Sequence, residues 1–350
     1  MGPGGRPDER DAARGGRPTV TTVAARAGVS PMTVSRVLGG SARVSPELAA
    51  RVRESVAALG YRRNEQARAL RPGQRSGLVG VVITNIANPY YADFVLGAEE
   101  VLEAAGRTLL LGSTGEVAER EERLVAGFIG RQVEGLIVVP TGVRAHLLPR
   151  RLDGVALVLA SRQVPGIGAD AVLVADVQGS YEGTAALIAD GHVRIGFLGH
   201  GMSTFTGQRR LEGFRLAHED AGRDVDERLV LRDQRDPASA EAAMNSLLAY
   251  DPELSAVFCA NNRNAIGAVR ALVRRRASQP GKVTVLSFDD FELADAVGLP
   301  VQVVDHDGRE LGREAARLLL DRLTGEPTGP PRTVELPTRL RRVGNAGEPW

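Results

Sequence analysis

"AGVSPMTVSRVLGG", residues 27–40, sets a glycine, a Ser-Pro pair, regularly spaced apolar residues and one arginine within fourteen positions. Gly28 suits the tight turn that closes a preceding helix, and Ser30 is an N-cap whose hydroxyl can accept an orphan backbone N–H. Pro31 falls at the first helical position, where its missing N–H costs nothing. Val29 before the cap and Val34 inside the helix have the spacing of a hydrophobic staple. Val34, Val37 and Leu38 recur at i, i+3 and i+4 and therefore face inward. Met32, Thr33 and Arg36 are left on other faces.

The flanks extend the pattern. Residues 19–27 carry Val20, Val23, Ala24 and Ala27 on one stripe, and a third helix opens at Ser45-Pro46, with Leu48, Val52, Val56 and Leu59 inside, and stops at Gly60. Two helices joined by a glycine turn, with a third behind, make a helix-turn-helix pattern. The second helix fits the major groove, where Arg36 could donate two hydrogen bonds to guanine O6 and N7. A plain three-helix bundle with surface arginines fits the same spacing. Next comes "NEQARALRPGQRSG", residues 64–77, in which Asn64 can cap a helix over 65–71 that Pro72-Gly73 ends. Seven residues are too few for a helix that is stable alone. Leu70 has no apolar partner within the segment, so it suits either a minor-groove wedge or an ordinary linker.

Bulk properties bound the rest. The chain has 350 residues and is 43% hydrophobic, enough for two or three domains and a sizeable core. No apolar run reaches the ~18 residues of a spanning helix, so no membrane partner is expected. The Gly/Pro/Arg-rich residues 1–18 read as a disordered leader without the apolar stretch of a secretory signal. The single cysteine, Cys259, excludes an internal disulfide and fits a reducing cytoplasm. Residues 1–76 hold 14 arginines against 6 carboxylates, a net +8, and the remainder 30 basic against 37 acidic residues, a net −7. A basic head on an acidic body suggests a polyanion partner for the head, although a solvated arginine-rich tail has the same balance.

From residue 77 short apolar runs alternate with helical patterns. Strands are expected at 78–84, 108–112, 135–140, 155–160, 171–175, 194–199, 256–260, 283–288 and 301–304. Helices are expected near 90–105, 117–131, 178–190, 208–221, 238–249, 264–276 and 308–324. Continuous apolar strands between helices imply parallel sheets covered on both faces, and this length implies two α/β subdomains with a cleft between them. Ligands of such sheets sit beyond the C-terminal strand ends. Asn85, Arg162, Asn261 and Asp289 each follow a strand there, and Arg210 is expected to open a helix. Each alone is an ordinary loop residue. Together they suit a pocket for a hydroxyl-rich ligand, with Tyr90 or Tyr91 stacking on an apolar sugar face.

No G-x-S-x-G, G-x-G-x-x-G after a strand, P-loop or H-E-x-x-H occurs, and the five histidines lack metal-ligand spacing. No enzyme, cofactor or metal is therefore expected. His192 reads as a helix-end residue and Cys259 as a core filler.

The stretch 19–70, with "VAARAGVS", "TVSRVL", "VSPELAARV", "LGY" and "NEQARAL" in order, resembles the DNA-binding segment of the LacI/GalR family of bacterial transcriptional regulators. That resemblance implies a major-groove helix over 31–39, a hinge helix over 64–71, base-reading positions at Pro31, Met32 and Arg36, and an intercalating Leu70. The family usually has aspartate where Thr22 stands, which would weaken the first cap, and asparagine where Gly39 stands. "ITNIANPYY", "SRQVPG", "VADVQG", "DGHVRIGFLG", "QRRLEGF", "FCANN", "IGAVRAL", "VLSFDD" and "RELGREAARLLL" extend the resemblance to a periplasmic-binding-protein-like core, over about residues 19–340. It matches Asn85, Arg162, Arg210, Asn261 and Asp289 to effector-contacting positions. The family often has aspartate at Asn85, Ser161 and Asn262, and glycine at Ser287, so fewer acceptors for sugar hydroxyls are expected.

The fold expected is an all-α helix-turn-helix headpiece followed by an α/β core of two parallel-sheet subdomains. The expected divisions are a leader at 1–18, the headpiece at 19–63, a hinge at 64–76, the core at 77–340 and a tail at 341–350. Within the core the first subdomain takes 77–174 plus 305–335 and the second 175–304. The function expected is a cytoplasmic, ligand-responsive repressor of a carbohydrate-utilisation operon, bound as a homodimer to pseudo-palindromic double-stranded operator DNA. The alternatives are a periplasmic-type binding protein without a DNA role and a regulator answering to a nucleoside or purine. The expected DNA-facing residues are Thr19, Ser30, Pro31, Met32, Thr33, Ser35, Arg36, Asn64 and Leu70. Those expected to face the effector are Asn85, Tyr90, Arg162, Arg210, Asn261 and Asp289.

Overall fold

The computed structural model describes residues 18–39, 44–61, 76–143, 145–201, 204–275, 283–325 and 329–343. The chain divides into two units, Met1–Gln74 and Arg75–Trp350.

In the first unit the described residues form α1 (Val20–Ala27), α2 (Pro31–Leu38) and α3 (Pro46–Leu59). Side-chain hydroxyls start all three. Thr19 and Thr22 close a reciprocal capping box on α1: Thr22 N–H donates to Thr19 Oγ1 at 3.3 Å, and Thr19 N–H donates to Thr22 Oγ1 at 2.8 Å. The weakened cap expected from the missing aspartate does not arise, because a threonine at that position also reaches back. Ser30 caps α2 by accepting from Thr33 N–H at 3.1 Å, and Ser45 caps α3 by accepting from Leu48 N–H at 3.4 Å. Gly28 ends α1 at φ 65°, a left-handed conformation that favours glycine. Val23, Ala24, Ala27, Val34 and Val52 form the buried core, with Val29, Val37 and Leu38 packed against it. The expected leader, Gly40 and the expected hinge residues Asn64 and Leu70 lie outside the described residues.

The second unit holds two six-stranded sheets. The first contains β1 (Leu78–Ile83), β2 (Thr108–Ser113), β3 (Gly135–Val138), β4 (Ala156–Ala160), β5 (Asp170–Val174) and β11 (Thr333–Leu336). Its order is β11-β5-β4-β3-β1-β2, and every pairing is parallel. The second contains β6 (Ile195–Leu198), β7 (Val230–Leu231), β8 (Ala256–Cys259), β9 (Thr284–Phe288), β10 (Val301–Asp305) and β12 (Arg339–Val343). Its order is β12-β10-β9-β8-β6-β7, parallel except for the antiparallel β10–β12 edge. The chain thus passes from the first sheet to the second after β5, back after β10, and across again before β12.

Helices cover the sheets: α4 (Pro89–Ala104), α5 (Ala118–Ile129), the single turn α6 (Pro149–Leu152), α7 (Asp176–Ala189), α8 (Phe205–Asp220), α9 (Pro237–Tyr250), α10 (Asn262–Arg275) and α11 (Gly308–Thr324). The helix α11 lies against α4 so closely that a Cβ on Gly97 would stand 1.9 Å from the Arg309 carbonyl oxygen. A Cβ on Gly312 would meet the Phe94 carbonyl oxygen at the same distance. The core is mainly aliphatic, with five phenylalanines, Phe94, Phe197, Phe214, Phe258 and Phe288, fully buried in it.

Two differences from the sequence reading have local causes. Strands β7, β11 and β12 were not expected; all three are short edge strands, and β11 alternates half-buried with exposed residues instead of running apolar throughout. Several helices begin earlier than their apolar periodicity suggests, because their first turns are rich in polar residues and glycine. The helix α7 starts at Asp176, α10 at Asn262 and α8 at Phe205. Arg210 therefore does not open its helix but sits in the second turn of α8.

Candidate ligand cavity and DNA-facing surface

A cavity of about 400 Å³ lies between the C-terminal ends of the two sheets, a volume suited to a small organic ligand. Strand ends supply its lining: Asn85 after β1, Glu116 after β2, Thr141 after β3, Ser161 and Arg162 after β4, and Asp176 after β5. The second sheet adds His200 after β6, Arg235 after β7, Asn261 and Arg263 after β8, and Asp289 after β9. The structure brings all six residues expected to face an effector, Asn85, Tyr90, Arg162, Arg210, Asn261 and Asp289, to this one cavity.

Two ion-pair systems organise the lining. Arg162 makes a two-pronged pair with Glu116, each contact 2.8 Å, and also donates to the Pro140 carbonyl at 3.2 Å. Burial opposes ionisation of Glu116, but the His200 ring, 3.8 Å away, and the Arg162 guanidinium outweigh it and hold the carboxyl well below the usual carboxylate range. Deeper in, Arg210 Nε donates to Asp176 Oδ1 at 2.7 Å and Nη1 to the Ala260 carbonyl at 2.7 Å. Arg210 Nη1 also lies 3.6 Å from Asp289 Oδ2, and the guanidinium stands 3.6 Å over the Phe288 ring. His306 Nε2 is 2.8 Å from Asp289 Oδ1. Burial pushes the Asp176 carboxyl up, while Asp289, equally buried, is held down by Arg210 and His306. Asp176 Oδ2 and His306 Nδ1 remain buried without a hydrogen-bond partner among the described residues.

The two halves also touch through neutral groups. Asn262 Nδ2 donates to Asn88 Oδ1 at 2.8 Å, joining the start of α10 to the cap of α4. The Tyr90 hydroxyl shares a 2.9 Å hydrogen bond with Ser161 Oγ, and its ring meets His306 edge-on, with centroids 5.1 Å apart. Asn85 and Asn261 also serve their own loops: Asn85 Oδ1 accepts from Ala87 N–H at 3.0 Å, and Asn261 Oδ1 from Asn264 N–H at 2.8 Å. The expected shortage of carboxylates is only partial. Aspartate is absent at Asn85, Ser161 and Asn262, yet Glu116, Asp176 and Asp289 line the cavity.

Sequence reading missed Glu116, Arg235, Arg263 and His306. The first three follow strands, as the expected residues do, so the strand-end rule would have reached them had it been applied after β2 and β7 and one turn into α10. Backbone strain had no sequence signal. Glu116, Ser161 and Asp289 lie at φ 62°, 59° and 68°, conformations that cost a non-glycine residue roughly 1 kcal/mol or more.

On the first unit, Pro31, Met32 and Arg36 of α2 are exposed, Met32 at 63%. Thr19 and Ser30 are exposed too but serve as caps, and Thr33, half-buried, shares a 2.9 Å hydrogen bond with Ser30. Ser35 is half-buried. Arg36 points from the open face with no ion pair among the described residues.

Comparison with known proteins follows the same division. Residues 19–64 match the family described as bacterial regulatory proteins, lacI family, and residues 76–341 match periplasmic binding proteins and sugar binding domain of LacI family. The transcriptional regulator CelR of Thermobifida fusca is 36% identical over 328 residues, spanning 91% of this chain and 95% of its own. GalR of Escherichia coli strain K12 is 30% identical, spanning 93% and 94%. The solved CelR–cellobiose complex superposes with a TM-score of 0.68 at 34% identity, covering 93% of this chain and 99% of that one. The Lac repressor dimer bound to operator and the anti-inducer ONPF, at 22% identity, shares the fold with a TM-score of 0.78 over 93% and 98% of the two chains. These relatives are regulators and not enzymes, and the chain described here belongs to the LacI family of bacterial transcriptional regulators.

Proposed function

We propose that this regulator is a cytoplasmic repressor that binds a pseudo-palindromic operator as a homodimer and releases or tightens its grip when a sugar occupies the cavity. The observation that carries the reading is the pairing of two sites in one chain: an exposed α2 face bearing Pro31, Met32 and Arg36, and a cavity with a polar lining at the strand ends. Residues 19–63 read DNA, 64–76 form the hinge with Asn64 as cap and Leu70 as minor-groove wedge, and 77–340 hold the effector. Arg36 is the polar reader of guanine; Pro31 and Met32 make apolar contacts, for instance with thymine methyls. A sugar is favoured because hydrogen-bonding amides, carboxylates and guanidinium groups surround the cavity, and because CelR has been solved with cellobiose. Ligand and operator are then linked reciprocally, by a coupling of ~1–3 kcal/mol.

Selection of bound duplexes from a random DNA pool by the full chain tests the reading. The expected result is two half-sites related by a two-fold axis, with affinity falling steeply as salt rises. Arg36→Ala is expected to lose ~10-fold or more on the selected site and little on random DNA. Binding without sequence preference, or equal losses on both DNAs, would overturn it.

A further inference from the structure

The cavity carries more cationic groups than its own acids answer. Four arginines line it: Arg162, Arg210, Arg235 and Arg263. Glu116 is occupied by Arg162; Asp176 and Asp289 are occupied by Arg210, and Asp289 by His306 as well. Arg235 and Arg263 form no ion pair or hydrogen bond among the described residues, and Arg263 Nε is fully shielded from solvent without a partner. Asp236, the acid next to Arg235 in sequence, caps α9, Oδ1 accepting from Ser239 N–H at 2.8 Å; that bond and, to a lesser degree, the Arg263 charge lower its pKa, but Arg263 makes no ion pair with it among the described residues.

The fold holds these two arginines on the same wall. Arg235 precedes the cap of α9, and Arg263 lies in the first turn of α10. One turn further on, Gly267 packs against the start of α9 so closely that a Cβ there would stand 2.5 Å from both the Pro237 carbonyl oxygen and the Ala240 Cβ. That contact brings the first turns of α9 and α10 together at the cavity rim.

We propose that the ligand of this cavity is a hydroxylated molecule bearing an anionic group, a carboxylate or a phosphate, and that Arg235 and Arg263 receive that group. The inference rests on the cavity being the effector site. A guanidinium presents a planar fork that matches carboxylate and phosphate oxygens, and such pairs exceed neutral hydrogen bonds in strength. A neutral sugar offers these arginines only hydroxyls, leaving the exposed Arg235 to solvent and the buried Nε of the half-buried Arg263 without a charged acceptor. The three carboxylates, each bound to a resident cation, remain available to accept from ring hydroxyls through their second lone pairs.

Calorimetric titration of the full chain with matched probes decides it. The pairs are glucose against glucuronate and glucose 6-phosphate, galactose against galacturonate and galactose 6-phosphate, and cellobiose against cellobionate. At least one acid is expected to bind ~10-fold or more tightly than its neutral parent, with the carboxylate and phosphate arms showing which anion fits. The preference should vanish in R235A/R263A, return in part in R235K/R263K, and weaken at high salt, with thermal melting confirming that the variants fold. Equal or tighter binding of the neutral parents, no preference in any pair, or a preference that survives in R235A/R263A each overturns the proposal. A neutral sugar that shifts operator affinity would sink the anion assignment and leave the regulatory reading standing. An acid that binds through these arginines without shifting operator affinity would do the reverse.

Discussion

The two units spend their polar side chains in opposite ways. In the first, Thr19, Thr22, Ser30 and Ser45 sit on the surface and terminate helices, and the buried core is alanine and valine. In the second, arginines and carboxylates are buried around a cavity, and the surrounding core includes five fully buried phenylalanines. Size explains the contrast. A small three-helix unit buries little apolar surface, so local terminations worth ~1 kcal/mol each are a large share of its stability. A unit with two sheets buries enough to hold charges in fixed geometry at a binding site.

The sharpest way to break that contrast is through the buried phenylalanines of the second unit. Phe258 is fully buried, its ring edge-on to Phe197 with centroids 5.4 Å apart. Phe258→Ala is expected to destabilise the unit by ~3–5 kcal/mol, through lost burial plus the cavity left behind. Denaturant unfolding measures it. A loss under ~1 kcal/mol would mean that the core around β8 collapses to fill the gap, and that the second unit leans less on its aromatics than its packing indicates.

The next effect tests whether the buried charges stabilise as well as bind. Glu116→Gln leaves Arg162, 5% exposed, without its carboxylate, at an expected loss of roughly 2–3 kcal/mol at neutral pH. Glu116 has a folded pKa below its unfolded value of about 4.3, so its contribution is present above that pH and lost as pH falls through the folded value. The stability gap between wild type and Glu116→Gln should therefore narrow progressively in acid. A gap independent of pH would show that packing, and not the ion pair, carries the effect.

How far the sequence could be read follows the same division. The first unit is legible because its information is local: cap, proline, turn glycine and apolar spacing all lie within a few residues of the helix they shape. The central strands are legible because they are buried on both faces and run apolar. Three of the four edge strands are not, β2 being the exception: β12, "RLRRV", carries three arginines, and its pairing with β10 is stabilised by Arg341 bridging to Asp305 and Asp290, which only the fold brings near. The cavity is legible as positions and not as chemistry. Strand ends name Asn85, Arg162 and Asp289, but the partner of Arg162 lies 46 residues away at Glu116, on a left-handed backbone that its sequence does not announce. Which arginines are paired and which are free is set by the topology alone.

The smallest expected effect sits in the first unit and probes its dependence on helix ends most directly. Thr19 is exposed and lies outside the buried hydrophobic cluster, so its truncation removes a cap and little else. Thr19→Ala deletes the acceptor for Thr22 N–H but leaves the Thr22 hydroxyl able to accept from the residue 19 N–H at 2.8 Å. Half of the box survives, which puts the expected cost near the middle of the usual range, ~1 kcal/mol. Amide hydrogen exchange across residues 20–27 reads it as roughly fivefold faster opening of α1, since 1.4 kcal/mol is tenfold. Thr22→Ala removes the complementary half and should cost a similar amount, and the double variant should cost less than the sum of the two, because each hydroxyl orients the other. Strict additivity would show that the two caps act independently. Unchanged exchange in all three variants would mean that α1 is held by Val23, Ala24 and Ala27 alone, and the contrast between a capped unit and a packed one would fall.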